Sequence, residues 1–427
     1  MLPPNHALRS ELNDEVHARP SDSLRAPLRI SYLAMLSESG ARQQEWEHLS
    51  QLLRRYGRQT PKKISNHFSA DVGDFSIRWE RHAEFVRYTF TAPGRFADPF
   101  ALAALTAVPE DWLSGINGQI MVASHGAILD QSAGYEDFEA VAAQWFDGNM
   151  LVGSRVGDNA ATALADFRLR ADGFSRFLLM DRHMTPRQAG RIVQRILEID
   201  TYRMMALLAL PVAQALAPLI TGYERELSQV TTVLGSAGDE DEAGLLDRLT
   251  RLEAHIESGE AENHYRFGAA TAYYELVQRR IAELREVRIT GLQAFGKFIE
   301  RRLAPAMNTC RAVAGRQESL SQRVARANQL LATRVDLTRE RQNQALLESM
   351  NRRAQAQFKL QQTVEGLSIA AITYYVVGLM GYLAKGVKAL GWNVNYELVM
   401  AVSIPLIAIL AAFGIRHVRQ SVTRTAK

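Results

Sequence analysis

The sequence predicts an α+β domain with a mainly antiparallel sheet, followed by a long α-helical stalk and a C-terminal transmembrane hairpin of two helices. Three observations carry this. Short β-rich or alternating runs dominate the first 182 residues. From Ala306 to Glu365 there is no proline, and Gly315 is the only glycine. Leu367–Ala384 and Leu398–Ile415 are uncharged apolar runs of eighteen residues each, long enough to cross a hydrocarbon core of ~30 Å as helices. The implied divisions are an α+β domain over 1–182, a helical domain over 183–304, a stalk helix over 305–366, a hairpin over 367–415 and a basic tail over 416–427.

In chain order, residues 1–27 are polar and turn-rich. They carry Glu15-Val16-His17-Ala18-Arg19-Pro20, where Glu15, His17 and Arg19 form a candidate polar motif. A histidine between a carboxylate and an arginine suits a ligand site or an acid/base, but the expected reading is a surface segment whose charges pair with the domain behind it. Residues 28–36 (LRISYLAML) are β-rich, and Arg42–Tyr56 has helical spacing through Trp46, Leu49, Leu52 and Leu53. Phe68–Ala70, Asp74–Glu80 and Glu84–Thr91 follow as strands, the last two joined by a hairpin at Arg81-His82-Ala83. Apolar and polar residues alternate in these strands, as on a half-buried sheet. Phe100–Val108 and Trp112–Ile116 are small helices or loops, Gln119–Ser124 a strand and Asp137–Phe146 a short helix. Met150–Ser154, Ala161–Arg168 and Ser175–Met180 complete the strands. Asp166, Arg168 and Arg170 are spaced by two, which predicts one shared, solvated sheet face.

Thr185 reads as an N-cap with Pro186 in the first helical position. Met204–Ile220 is apolar but broken by Pro211, Gln214 and Pro218, and is expected as a buried, kinked helix, with membrane insertion the rival reading. Ser236–Gly244 is an acidic loop, expected to be solvated. Leu245–Ile256 is an amphipathic helix and Asn263–Leu303 a longer one, interrupted or kinked at Pro305. In the stalk, Leu320, Val324, Ala327, Leu331 and Val335, then Leu346, Met350, Ala354 and Phe358, form a packing seam. Its partner is either the helices at 245–304 or a second copy of itself.

Composition narrows the function. The 427 residues are 47% hydrophobic, with one cysteine, Cys310, so no intramolecular disulfide forms, which fits a reducing compartment. Met1–Ser10 has no apolar signal region. Residues 301–427 hold 18 Lys+Arg against 6 Asp+Glu, while the rest holds 32 against 40. The basic excess is therefore membrane-proximal, as an anionic leaflet favours, and it does not alternate with aromatics, which argues against a nucleic-acid partner. Arg352, Arg353 and Lys359 precede the first run. Arg416, Arg419, Arg424 and Lys427 follow the second, and the loop has Lys385, Lys388 and Glu397. The positive-inside rule puts both termini in the cytoplasm and the loop outside. There is no phosphate loop, nucleophile elbow, Cys/His cluster or helical His-Glu-x-x-His, so neither an enzyme nor a cofactor is expected.

Two resemblances follow. The segments Glu15–Pro20, His67–Phe90 (HFSADVGDFSIRWERHAEFVRYTF) and Thr363–Gly386 (TVEGLSIAAITYYVVGLMGYLAKG) resemble an uncharacterised bacterial family of membrane-anchored proteins, classed as a domain of unknown function. The layout of cytoplasmic domain, long helix running into the first span, short outer loop and second span with a basic tail is similar to the CorA family of magnesium channels. That likeness implies a homo-oligomer and a divalent cation as cargo. The family's Gly-Met-Asn signature is absent, the region reading Gly378-Leu379-Met380-Gly381-Tyr382-Leu383, which removes the residues that would receive a hydrated cation. The first expectation is thus a CorA-like oligomeric ion transporter or channel of altered selectivity, with Ser368, Thr373, Tyr374 and Gly378 lining the pore. The alternative is a membrane-anchored scaffold or sensor with neither transport nor catalysis.

Overall fold

In the computed structural model, the described residues are 3–10, 12–13, 21–38, 40–60, 64–130, 137–236, 242–391 and 395–425. Glu15, His17 and Arg19 lie outside them, as do residues 237–241 of the acidic loop. The chain forms two compact units, residues 1–236 with 247–328, and residues 237–246 with 329–427.

The first unit is built on a nine-stranded mixed sheet. Its strands are β1 (Leu28–Leu36), β2 (His67–Asp71), β3 (Ser76–Arg81), β4 (Phe85–Pro93), β5 (Gln119–Asp130), β6 (Val152–Val156), β7 (Ala161–Ala165), β8 (Ser175–Asp181) and β9 (Val287–Arg288). The order is β2-β3-β4-β1-β5-β8-β7-β6-β9. Every pairing is antiparallel except β5 with β8. The central β1 reads almost continuously apolar because both of its faces are covered. On one face lies helix α1 (Arg42–Arg55), whose Trp46, Leu49, Leu52 and Leu53 meet Phe75, Ile77, Trp79, Tyr88 and Phe90 in one core. Beside it sits the short helix α2 (Glu110–Ser114), with Trp112 against Tyr88 and Phe90. Helix α3 (Phe138–Trp145) is capped by the Asp137 carboxylate and covers a second core around Leu164 and Leu178.

The other face carries α4 (Pro186–Leu207), which begins as the sequence predicts, the Thr185 hydroxyl accepting from the Gln188 N–H. Helix α4 ends at Leu207, and α5 (Ala209–Ser236) starts after Leu208. Pro211 explains the break, since its ring would clash with the carbonyl four residues back. Pro218 lies within α5, and Met205, Ala206, Ala209, Ala213 and Ile220 are buried in the body.

Three expectations are corrected. The polar faces of β3 and β4 are not solvated: Arg78, Glu80 and Arg87 are 7%, 1% and 4% exposed, because α4 brings them a complementary carboxylate. Asp166, Arg168 and Arg170 do not share a sheet face. Strand β7 ends at Ala165, Phe167 turns with φ 52° and Arg170 folds back onto Asp166 at 2.8 Å. The helices expected at 245–256 and 263–303 are one helix, α6 (Glu242–Leu284), followed by α7 (Phe295–Ala389). The break lies at 285–294 and not at Pro305, which α7 contains. Arg285 adopts φ 49°, β9 joins β6 at the sheet edge, and the Glu286 carboxylate accepts from the Gly296 N–H and the Ser154 hydroxyl.

Within the first unit α6 and α7 run antiparallel. Asn328 bonds Glu253, and Gln317 lies beside Gly259. Leu249, Leu252, Ile256, Leu320 and Val324 are buried, so the first half of the stalk seam packs on α6. In the second unit Arg334 and Thr338 reach Glu242 at 3.1 and 3.2 Å. From 339 to 364 every residue of α7 is exposed. Helix α8 (Tyr396–Thr425) completes the chain.

Candidate functional site

Among the described residues three helical stretches are long and apolar enough to cross a membrane: Pro186–Gly235, Phe295–Val387 and Tyr396–His417. In their most apolar windows 28%, 17% and 6% of residues are buried by the rest of the chain. The last two therefore turn nearly all their apolar surface outward, as Tyr374, Leu379, Ile409 and Phe413 do.

The four pore-lining candidates lie on α7. Ser368 donates to the Val364 carbonyl at 2.8 Å, and Tyr374 is 78% exposed with its ring edge-on to Tyr375. Gly378 faces open space. Val377 and Ala384 are buried, and a Cβ on Gly381 would meet the Met400 sulfur at 2.9 Å, so this side of α7 faces α8. At about 100° per residue, Thr373 borders that side, roughly 40° from Val377. Tyr374 and Gly378 share a flank, and Ser368 lies about 180° from Val377. The fold thus brings Tyr374 and Gly378 onto one stripe and keeps Ser368 and Thr373 off it.

The body holds a chain of charges that sequence reading missed. Asp22 meets Arg78 at 3.2 Å, and Arg78 donates to Glu80 at 2.8 Å. Arg87 donates to Glu80 and, at 3.1 Å, to Glu198 of α4. Arg280 of α6 donates to Glu198 and to Glu283, which also accepts from Arg195 at 3.1 Å. Burial opposes ionisation of Glu80, but Arg87 and Arg78 outweigh it and hold this carboxyl well below its usual range. Burial pushes the neighbouring Tyr32 hydroxyl above its ordinary range. Every carboxylate here has an arginine, so the chain clasps sheet, α4 and α6 together and offers no unpaired acid or base. The only sequence signal was the pair of alternating Arg/Glu strands. A cavity of about 30 Å³ beside Arg78 and Thr91 is large enough for a water.

A larger cleft, about 1000 Å³, opens where β1 ends, β5 begins and the β3–β4 turn meets α5 and α6. Leu36, Leu208, Val212 and Tyr265 give it an apolar and aromatic wall, and Gln44, Asn117 and Gln119 an amide rim. Glu38, Glu45, Glu84 and Arg266 are its ionisable lining groups. Arg81 pairs with Glu45 from behind, and Arg266 donates to Glu84. Burial, then the Glu84 carboxylate, pushes the adjoining Tyr273 hydroxyl above its ordinary range. Gly118 is required where β5 starts: its φ is +102°, and a Cβ would overlap the Leu36 carbonyl oxygen. Among the described residues no three His, Cys, Asp or Glu side chains converge to hold a metal ion.

No curated protein matches the chain. Among solved structures, the full-length CmaX protein is similar at 12% identity over 72% of this chain and 91% of that one. Its TM-score of 0.20 is too low to carry an argument. A family model described as protein of unknown function (DUF3422) matches residues 4–422. That match covers nearly the whole chain, which belongs to the DUF3422 family.

Proposed function

We propose that the chain is an integral protein of the bacterial cytoplasmic membrane, in which the C-terminal end of α7 and α8 form a hairpin across the bilayer. The body is then a non-catalytic sensor or scaffold on the cytoplasmic side. One observation carries this reading: the most apolar windows of these helices are only 17% and 6% buried by the chain itself. Apolar surface on that scale needs a cover, and lipid is the one that suits uncharged helices of this length. Pro186–Gly235 is assigned to the body, because it buries more of its apolar window and because Glu198 is tied into the charge chain.

Extraction tests the reading. Full-length protein should stay in the membrane pellet through alkaline carbonate, and a chain truncated after Arg341 should move to the soluble fraction. Release of the full-length protein by carbonate would overturn it.

A second reading, the CorA-like oligomeric transporter of altered selectivity with a divalent cation as cargo, is favoured by the second half of the stalk seam. Leu346, Met350 and Phe358 are exposed, a stripe that a second copy of α7 could cover. Tyr374 and Gly378 would then line the conduit.

A further inference from the structure

The cleft of about 1000 Å³ falls at the upper end of the size range of small-molecule sites, and polar and apolar side chains line it about equally, which suits a charged and partly apolar ligand. One of its own side chains indicates what it recognises. The Arg266 guanidinium sits on the Glu84 carboxylate, 5.6 Å from the centre of the Tyr265 ring. This is a seat for an organic cation: a carboxylate below and an aromatic face beside it. The rest of the cleft repeats the theme. The Glu45 carboxylate is buried and held by Arg81 and Ser37, Glu38 is exposed, and the Gln44 and Asn117 amides are bonded to each other at 3.2 Å. With Arg81 counted behind Glu45, and Arg266 against Glu84, Glu38 leaves one net negative charge. The carboxylates are not grouped as metal ligands, which favours an extended cation over a chelated ion.

From this geometry we infer that the cleft binds an organic cation of the alkylammonium or guanidinium class, with Tyr265 and Glu84 forming its head-group seat and Arg266 occupying that seat when the ligand is absent. The inference goes beyond the membrane reading. Binding is measured on the purified chain whatever the result of carbonate extraction, so the two can fail separately.

The test is calorimetric titration of the full-length protein, in a neutral detergent, with agmatine and spermidine, and with Mg²⁺ for comparison. Saturable binding of one organic cation per chain is expected, with no comparable response to Mg²⁺. Tyr265→Ala and Glu38→Gln change exposed side chains and should fold normally, each weakening binding. Glu84→Gln should weaken it by roughly tenfold, the loss of one charge-assisted contact. Arg266→Gln should tighten it by vacating the seat. Glu110→Gln removes an exposed charge outside the cleft and should leave affinity unchanged. Absence of saturable binding would overturn the inference. So would Glu110→Gln weakening binding as much as Glu38→Gln, because the attraction would then belong to the surface at large.

Discussion

His125 shows how one residue's environment fixes its chemistry. It sits on β5 opposite Ser31 of β1, its Nδ1 3.0 Å from the Ser31 hydroxyl, which accepts from the Leu105 N–H at 3.1 Å. Its ring lies flat on Phe174 with centroids 4.0 Å apart. Burial pushes the imidazole down from 6.5 to about 4, with Asp172 opposing and Arg176 assisting. A folded value below the unfolded one means that the unfolded chain takes up the proton first. The stability from the neutral ring is therefore complete above pH 6.5 and is lost as pH falls from 6.5 to about 4. Urea denaturation followed by tryptophan fluorescence should show a midpoint that declines through this window. His125→Asn keeps polar atoms near Ser31 but does not titrate, so its decline should be shallower. Equal slopes in the two proteins would place the acid sensitivity elsewhere, the His48 imidazole, which burial also pushes below its ordinary range, being the next group to examine.

At the level of elements, the segment at residues 21–24 is held to α4 by close backbone approach. Leu24 donates to the Pro186 carbonyl at 2.9 Å, Ser21 donates to Gln194 at 3.1 Å, and a Cβ on Gly190 would overlap the Asp22 carbonyl oxygen. Gly190→Ala gains about 1 kcal/mol of helix propensity but forces backbone aside, which costs about 1–3 kcal/mol. The net outcome should be a loss of stability with faster hydrogen exchange at Leu24. Gly222 of α5 has open space where its Cβ would stand, so Gly222→Ala should stabilise by up to about 1 kcal/mol. Protection at Leu24 unchanged in Gly190→Ala would mean that the segment does not depend on this contact. The same elements mark what could be read in advance. The hairpin at 81–83, the Thr185 cap with Pro186 and the continuous stalk helix each rest on local signals and were legible. The buried face of β3 and β4 was not, because alternation cannot distinguish solvent from a carboxylate 111 positions away, as Glu198 is from Arg87. The parallel pairing of β5 with β8 and the cleft depend on segments far apart in sequence, and no spacing within one segment encodes them. The end of α6 at Leu284 was missed because its cause is tertiary: Gly157 donates to the Leu284 carbonyl at 2.9 Å, and Glu286 caps the start of α7.

For the whole molecule the proposed membrane reading turns on the number of crossings, since an even number leaves both termini on one side and an odd number separates them. Composition alone admits three crossings. The proposed hairpin requires two, and two physical arguments support that number. Pro186–Gly235 carries Glu198, whose carboxylate is tied to Arg87 of the sheet and Arg280 of α6. Moving it into lipid would take from Arg87 one of its two carboxylate partners, Glu80 being the other, and would desolvate the Glu198 charge itself. The basic flanks also agree with two crossings: Arg352, Arg353 and Lys359 lie before the first, and Arg416, Arg419, Arg424 and Lys427 after the second. A reporter active only in the cytoplasm should therefore be active when fused before Met1 and also after Lys427. A cysteine introduced at Gly391, with Cys310 replaced by serine, should be labelled from the outside by a membrane-impermeant maleimide. Activity at one end only would mean that Pro186–Gly235 crosses the bilayer after all. Activity at both ends with Gly391 unlabelled from outside, yet labelled in opened vesicles, would mean that α7 and α8 lie along the membrane surface and do not cross it, and the hairpin would fall with that result.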